Sequence, residues 1–338
     1  MSTMLEVAKK AGVSKATVSR VLSGKGYVGE ATKDLVYQAI KETGYRPNLL
    51  ARHLATNTSQ CIGLVVTNTL YNGSYFSEIL SQAAKKLEDN GRQLILMDGK
   101  HSADEEREAI EFLLDLQCDA VIIYPRFLTP DAMDEIIDLH RQPIMVVNRK
   151  LRKHQSHCIC CDHKGASFKA TMYLIEQGHR EIAFITGSLD SPTAIERLSG
   201  YKAALKEASI PQQDSLIAQG KWTPASGFAA AESLLASQMT FSAVVASNDD
   251  MAVGAIKKFS ESGIAVPGQI SVIGFDDIPT APFLSPSLAS VKDPVSDMMG
   301  EVINRLISML DGGYLSRDNV FTSELLVRDS VGDGPHIR

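Results

Sequence analysis

Residues 3–22, TMLEVAKKAGVSKATVSRVL, constrain this chain more than any other stretch, because they spell two short helices joined by a tight turn. Thr3 is placed to cap the first helix, and Glu6, three residues on, completes a capping box. Leu5, Val7, Ala8 and Ala11 give that helix an apolar side, and Gly12 ends it by tolerating the left-handed conformation that helix C-termini use. Ser14 caps a second helix, whose Val18, Val21 and Leu22 point inward while Lys15, Ala16, Ser19 and Arg20 stay on the open face. A third helix is expected over Glu30–Thr43, burying Leu35, Val36, Ala39 and Ile40 at helical spacing. In a helix-turn-helix the N-terminal residues of the second helix meet base edges in the major groove. Spacing alone also fits an ordinary helical hairpin. Gly24-Lys-Gly26-Tyr-Val-Gly29 is formally a GxGxxG, but it follows a helix rather than a strand, so it reads as a loop and not a dinucleotide site.

Charge supports the DNA reading. Residues 1–60 hold nine Lys and Arg against four Asp and Glu, a balance of +5. The remaining residues hold 25 against 36, a balance of −11, which together give the net −6 of the 338-residue chain. A basic head on an acidic body suits phosphate binding by the head alone.

Residues 46–58 read as a hinge. Pro47 sits well at a helix start, and Asn48 to Ala55 is too short a helix to stand alone in water. It is expected to fold when two copies pack on DNA.

From residue 60 onward, short apolar runs alternate with amphipathic helices. The runs are Cys61 to Thr67, Gln93 to Met97, Ala120 to Tyr124 and Ile144 to Val147, then Ile182 to Thr186, Ala243 to Ser247 and Ser271 to Phe275. Helices are expected over Ser77 to Asn90, Asp104 to Leu116, Gly165 to Gln177, Ala194 to Ala208 and Met251 to Ser262. This is the rhythm of a parallel sheet covered on both faces. Its repetition predicts two doubly wound lobes with a cleft at the carboxyl ends of their strands. Polar and aromatic residues do follow the strands: Thr67, Asn68, Tyr75 and Phe76, then Tyr124, Asn148 and Arg149. In the second half they are Arg197, Asn248, Asp249 and Asp276, with Trp222, the only tryptophan, between elements. Planar hydrogen bonders for hydroxyls and an aromatic face for a ring are what a sugar requires. Asp249 and Asp277 also suit capping of helices or turns.

The motifs AGVSKATVSRVLSG (Ala11 to Gly24) and GYRPNLLARHLAT (Gly44 to Thr56) resemble the LacI/GalR family of bacterial repressors, and the similarity runs over nearly the whole chain. The resemblance implies a small all-α helix-turn-helix head plus an α/β periplasmic-binding-protein-like body of two doubly wound parallel-sheet lobes with three crossovers. The expected parts are a head over 1–45, a hinge helix over 46–58, an N-terminal lobe over 60–159 plus about 294–321, and a C-terminal lobe over 160–291 plus about 322–331. DNA contacts are expected from Thr3, Ser14, Lys15, Ala16, Thr17, Ser19, Arg20, Ser23 and Tyr27 in the head. In the hinge they fall on Asn48, Ala51 and Leu54, with Leu54 the minor-groove wedge. The family's effector site falls on Thr67, Asn148, Arg197, Trp222, Asn248, Asp276 and Asp293, to which position after the first strand adds Asn68 and Phe76.

The five cysteines are an odd number in a long chain without an apolar leader, which argues for reduced thiols. His157, Cys158, Cys160, Cys161 and His163 invite a zinc reading. No CxxC occurs, however, and a strand through Cys158–Cys161 sends neighbours to opposite faces, so neither metal nor cofactor is expected. No run of 18 uncharged apolar residues exists, so no membrane span is expected. The polar N-terminus lacks a signal peptide, and the expected compartment is the cytoplasm.

The resulting expectation is a repressor that binds palindromic double-stranded operator DNA as a homodimer and is controlled by a small sugar or β-glucoside. The short segment after the last body strand, near Ser323 to Val327, has no apolar heptads for a tetramerising coiled coil. An α/β sugar-metabolising enzyme with a fused DNA-binding head is the rival. It lacks a P-loop, a GxSxG elbow and an HExxH, and its acidic pairs are adjacent in sequence rather than facing across a bond. A pure ligand-binding protein is disfavoured by the basic head.

Overall fold

Thr3 opens the first helix as its sequence predicts. In the computed structural model, which describes residues 2–23, 26–45, 58–67, 73–313 and 319–335, Thr3 Oγ1 accepts from the Glu6 N–H at 3.3 Å while the Glu6 carboxylate accepts from the Thr3 N–H at 3.2 Å. Helix α1 (Met4–Ala11) ends at Gly12, whose φ of 68° is left-handed. Ser14 Oγ accepts from the Thr17 N–H at 3.1 Å and starts α2 (Lys15–Ser23), and α3 (Glu30–Thr43) follows. Val7, Ala8, Ala11, Val18, Val21, Val36 and Ala39 form the buried core of these three helices, with Leu22 and Ile40 partly buried against it. Two expected core residues lie outside it: Leu5 is 54% and Leu35 52% exposed. At 100° per residue each sits roughly a quarter-turn or more from its helix's buried stripe. The chain forms two compact units, Met1–Gln60 and Cys61–Arg338.

The second unit holds two sheets built alike. In the first, β1 (Cys61–Val66), β2 (Gln93–Asp98), β3 (Ala120–Tyr124), β4 (Ile144–Val147), β5 (Cys158–Cys161) and β11 (Val320–Phe321) lie in the order β11-β5-β4-β3-β1-β2. In the second, β6 (Ile182–Thr186), β7 (Ile217–Gln219), β8 (Ala243–Ala246), β9 (Ser271–Phe275), β10 (Ala289–Lys292) and β12 (Glu324–Leu326) lie in the order β12-β10-β9-β8-β6-β7. All pairs are parallel except β10 with β12. In the first sheet Ile62 faces Leu94 on one side and Ala120 on the other.

Helices α4 (Ser74–Asp89) and α11 (Val295–Leu310) cover one face of the first sheet, and α5 (Ala103–Asp115) and α6 (Pro130–Leu139) the other. The second sheet is covered by α7 (His163–Glu176) and α8 (Pro192–Glu207) on one face and by α9 (Pro224–Ala236) and α10 (Asp249–Glu261) on the other. A Cβ at Gly200 would collide with the Lys164 carbonyl, and one at Gly254 with the Pro224 carbonyl. Glycine at these two positions lets each helix pair close over its sheet.

Four of the body helices start two or three residues before the apolar periodicity does. Asp162 caps α7 by accepting from the Gly165 N–H, Asn248 caps α10 by accepting from the Met251 N–H, and Pro192 is the first residue of α8. Polar caps and an N1 proline lie upstream of the stripe that periodicity detects.

The chain passes between the sheets three times: just after Cys161, at Asp293–Pro294, and at Thr322–Ser323. The strand through Cys158–Cys161 alternates as expected, with Cys158 and Cys160 packed under α5 and α6 and Cys161 on the opposite face.

Candidate functional site

In the head, Thr3, Ser14, Lys15, Ala16, Ser19, Arg20 and Tyr27 are exposed, and Thr17 and Ser23 are half-buried. Thr3 and Ser14 spend acceptor capacity on their caps, and Ser14 Oγ also meets Thr17 Oγ1 at 2.9 Å. No carboxylate pairs with Lys15 or Arg20 among the described residues, so this face presents net positive charge. Asn48, Ala51 and Leu54 of the hinge, and Asn68 of the expected effector site, lie outside the described residues.

In the body each sheet has strand order 2-1-3-4-5, and both switch points open towards the same cleft. The cleft is lined from the first lobe by Tyr75, Tyr124, Pro125, Arg126, Asn148 and Arg149. From the second it is lined by His163, Ser191, Pro192, Thr193, Arg197, Lys221, Trp222, Thr223, Asn248 and Asp276. Three of these carry a left-handed backbone without being glycine: Asn148 (φ 60°), Trp222 (φ 66°) and Asp276 (φ 95°). Such conformations cost energy and gather where a side chain must be aimed.

Arg197 is 2% exposed, and the Phe275 ring lies 4.3 Å beneath its guanidinium carbon. Its Nη1 donates to the Ser247 carbonyl and, at 3.4 Å, to Asp276 Oδ1. Its Nη2 donates to Asp293 Oδ2 at 3.0 Å and faces His163 Nδ1 at 3.4 Å. Burial pushes the His163 imidazole down to about 4, so it is neutral. With Nδ1 accepting from Arg197, Nε2–H is the donor to Asn148 Oδ1 at 2.8 Å. The Asn148 amide in turn donates to Tyr124 Oη at 2.7 Å and Thr193 Oγ1 at 3.3 Å.

Asp293 lies behind Arg197 and off the cleft wall. Burial alone would raise its carboxyl, but the Arg197 guanidinium and hydrogen bonds from Ser323 and Cys161 outweigh burial and hold it below the usual carboxylate range. Ser323 Oγ donates to Asp293 Oδ1 at 2.6 Å, the Cys161 thiol to the same atom at 3.6 Å, and Cys161 Sγ meets Ser323 Oγ at 3.1 Å. Cys161, Asp293 and Ser323 stand one at each of the three crossings between the sheets, so the crossings are bonded to one another at a single buried point.

Asp276 faces the cleft, and burial pushes its carboxyl up to about 7 against the pull of Arg197. Asn248 donates to the Trp222 carbonyl at 3.1 Å, fixing the loop that presents the indole. Gly187 lies against that indole, and a Cβ there would collide with it. Tyr75 and Tyr124 meet edge-on with centroids 6.1 Å apart.

Bonds also cross the mouth of the cleft. Arg126 Nη2 donates to both oxygens of Asp190, at 2.9 and 2.8 Å. The Asp250 carboxylate of α10 accepts from the Ser74 N–H, supplying α4 with the side-chain cap that Gly73 lacks.

Arg197, Trp222, Asn148, Asn248 and Asp276 therefore come together on the cleft, and three expected residues do not. Thr67 is fully buried, with its methyl against Gly99. Phe76 packs in the core of the first lobe, while its neighbour Tyr75 reaches the cleft. Asp293 acts as the counter-ion of Arg197. Asp249 holds the Ile278 N–H at 2.9 Å and Ser290 Oγ at 2.7 Å, and Asp277 accepts from Arg328 at 2.6 Å, so both are structural. Tyr75 was among the residues following the first strand, while His163, Thr193 and the Arg126–Asp190 pair were not anticipated as cleft residues from the sequence.

Cys161, His163 and Asp293 place potential ligand atoms within 4.8 Å of one another. Arg197 Nη2 already occupies that locus, 3.0 Å from Asp293, and burial pushes the Cys161 thiol up to about 12, so the trio does not fit a metal cation. All five cysteines are free thiols. No helix among the described residues is long and apolar enough to cross a membrane.

Residues 3–48 match the family profile described as bacterial regulatory proteins, lacI family, and residues 171–331 match the periplasmic binding protein-like domain. Across 331 residues, 98% of each chain, the sequence is 63% identical to the HTH-type transcriptional regulator AscG of Escherichia coli (strain K12). Among solved structures, the transcriptional regulator CelR–cellobiose complex superposes with a TM-score of 0.72 at 31% identity, covering 98% of this chain and 100% of that one. The lac repressor dimer bound to operator and the anti-inducer ONPF superposes with a TM-score of 0.86 at 26% identity, covering 98% of this chain and 99% of that one.

Proposed function

The chain belongs to the lacI family of bacterial regulatory proteins and is a DNA-binding transcriptional regulator with an effector-binding body, not an enzyme; on that footing we propose that it is a repressor whose homodimer holds a palindromic operator and is released by a β-glucoside bound in the cleft. The observation that carries the effector reading is the pairing of Arg197, Asp276 and Asn248 with the Trp222 indole. These are planar hydrogen bonders for hydroxyl groups beside a flat apolar surface for a ring. The cellobiose in the CelR complex supports the same ligand class.

On the DNA side, Lys15, Ala16 and Arg20 read bases, Thr3, Ser14, Thr17, Ser19, Ser23 and Tyr27 meet the backbone, and Leu54 wedges the minor groove between Asn48 and Ala51 contacts. The ligand stabilises a form of the body that cannot support paired hinge helices, and operator affinity falls by linkage. The regulator works in the cytoplasm, beside the DNA it binds.

The test is an operator gel shift with arbutin, salicin, cellobiose, their 6-phosphates and unrelated sugars, with each sugar assayed afterwards by chromatography. Release of operator with the sugar recovered intact is expected. Consumed sugar, or no response to any sugar, free or phosphorylated, defeats the proposal.

A further inference from the structure

The body as a whole is acidic, at −11 over residues 61–338, yet its cleft is lined by Arg126, Arg149, Arg197 and Lys221 against one carboxylate, Asp276. Two of the four cations are already matched, Arg126 by Asp190 and Arg197 by Asp293. Arg149 and Lys221 are not: no carboxylate lies within ion-pair distance of either among the described residues. Arg149 donates from Nη2 to the carbonyls of Pro125 and Arg126, both at 3.1 Å. Its Nε–H is buried without an acceptor, as is that of the ion-paired Arg197. Glu106 and Glu196 are close enough to act on it electrostatically but form no ion pair with it. Glu106 spends its oxygens on the N–H groups of Arg126, Phe127 and Leu128. The Arg149 guanidinium is thus held in place by backbone carbonyls, with Glu106 and Glu196 near it but no carboxylate bonded to it.

A buried donor without an acceptor and a cation without an anion both cost free energy unless a ligand supplies the missing partner. Arg149 follows β4 in the first lobe and Lys221 follows β7 in the second, so an anion between them would bridge the lobes. A planar guanidinium suits phosphate geometry, and the lysine adds a point charge.

We infer that the effector is a sugar phosphate, whose phosphoryl group is taken by Arg149 and Lys221 while its ring lies on the Trp222 side of the same cleft. This rests on the sugar-responsive reading above and narrows it. Two cleft cations without an ion pair fit the roughly −1.5 to −2 charge of a phosphomonoester at neutral pH better than the single charge of a uronate.

Calorimetry on the full-length protein tests it. The probes are glucose and cellobiose, glucose 6-phosphate and cellobiose 6-phosphate, glucuronate, and inorganic phosphate alone. At least one sugar phosphate should bind about tenfold or more tightly than its neutral parent, and tighter than glucuronate or inorganic phosphate. R149Q should erase that preference, and K221Q, at an exposed position, should reduce it. Thermal unfolding without ligand checks that each variant is folded. Neutral sugars binding as tightly as their phosphates, with R149Q unchanged, would overturn the inference and leave the sugar-responsive repressor standing. Preference for glucuronate, or equal affinity for inorganic phosphate, would overturn it too. If no sugar bound in either form, both readings would fall.

Discussion

Arg197 and Asp293 form an ion pair at 3.0 Å in which the two side chains are 2% and 0% exposed. Asp276 approaches the same guanidinium only at 3.4 Å. The buried carboxylate therefore fixes the arginine, and the cleft carboxylate is the one free to exchange its contact for a ligand hydroxyl. Breaking a buried pair from one side leaves a charge uncompensated, which separates what Asp293 and Asp276 do although both touch Arg197.

Arg197→Ala or Asp276→Ala should hold operator at sugar concentrations that release the unaltered chain. Losing a charge-assisted hydrogen bond to the ligand costs roughly 1–3 kcal/mol of affinity. Thermal shift against effector concentration measures the loss, and an unchanged midpoint in both variants would remove these residues from the site.

Asp276→Asn should stabilise the protein, relative to the unaltered chain, more at pH 8 than at pH 5. Burial pushes the Asp276 carboxyl up to about 7. A carboxyl raised above its unfolded value near about 4 favours the protonated fold, so ionising it costs stability as pH rises between those values. His163, pushed down to about 4, has the opposite sign, and its contribution is lost as pH falls from about 6.5. That contribution is common to both proteins. Melting temperatures measured from pH 4.5 to 8.5 check this, and a difference that does not grow with pH counts against it.

Gly187→Ala should move the Trp222 indole, because the new methyl would collide with it. Overpacking of this kind costs roughly 1–3 kcal/mol. With one tryptophan in the chain, a shifted emission maximum together with weaker effector binding is the expected result. Unaltered emission would mean that the seat of the ring lies elsewhere.

Arg20→Ala should cost roughly 1–3 kcal/mol at the operator and less on random DNA, as expected for a side chain that reaches a base edge. Equal losses on the two DNAs, with a reduced salt slope, would reassign Arg20 to phosphate.

The purified chain should be a dimer at micromolar concentration without DNA. Two heads must reach successive major grooves about 34–36 Å apart, and a pre-formed pair presents them together. A monomer by light scattering would contradict this.

Much of this organisation was legible in the sequence, and the places where it was not have physical reasons. Strands with continuous apolar runs, such as Ala120–Tyr124, announce themselves. Ile217–Gln219 and Val320–Phe321 do not, because two or three edge residues carry no period. The choice between Tyr75 and Phe76 was open to better reading. Phe76, Ile79, Ala83 and Leu87 share the buried stripe of α4, and spacing alone puts Phe76 with the core. His163 had no such signal: among cysteines it suggests a metal, and only the meeting of Arg197, Asn148 and Asp293 reveals a neutral relay. Arg126 and Asp190 are 64 residues apart, and nothing local links them.

The fastening of Cys161, Asp293 and Ser323 at one buried locus has a kinematic consequence. Three separate tethers would let the lobes shear, tilt and part. Tethers tied together at one point leave rotation as the easy motion and make sliding expensive. Only Thr322 and Ser323 separate β11 from β12, so this tether reaches at most about 10 Å. A small turn there becomes a large displacement at the far edge of each lobe. Arg197 bonds directly to the fastening, so a ligand that pulls on its guanidinium acts close to the point about which the lobes would turn.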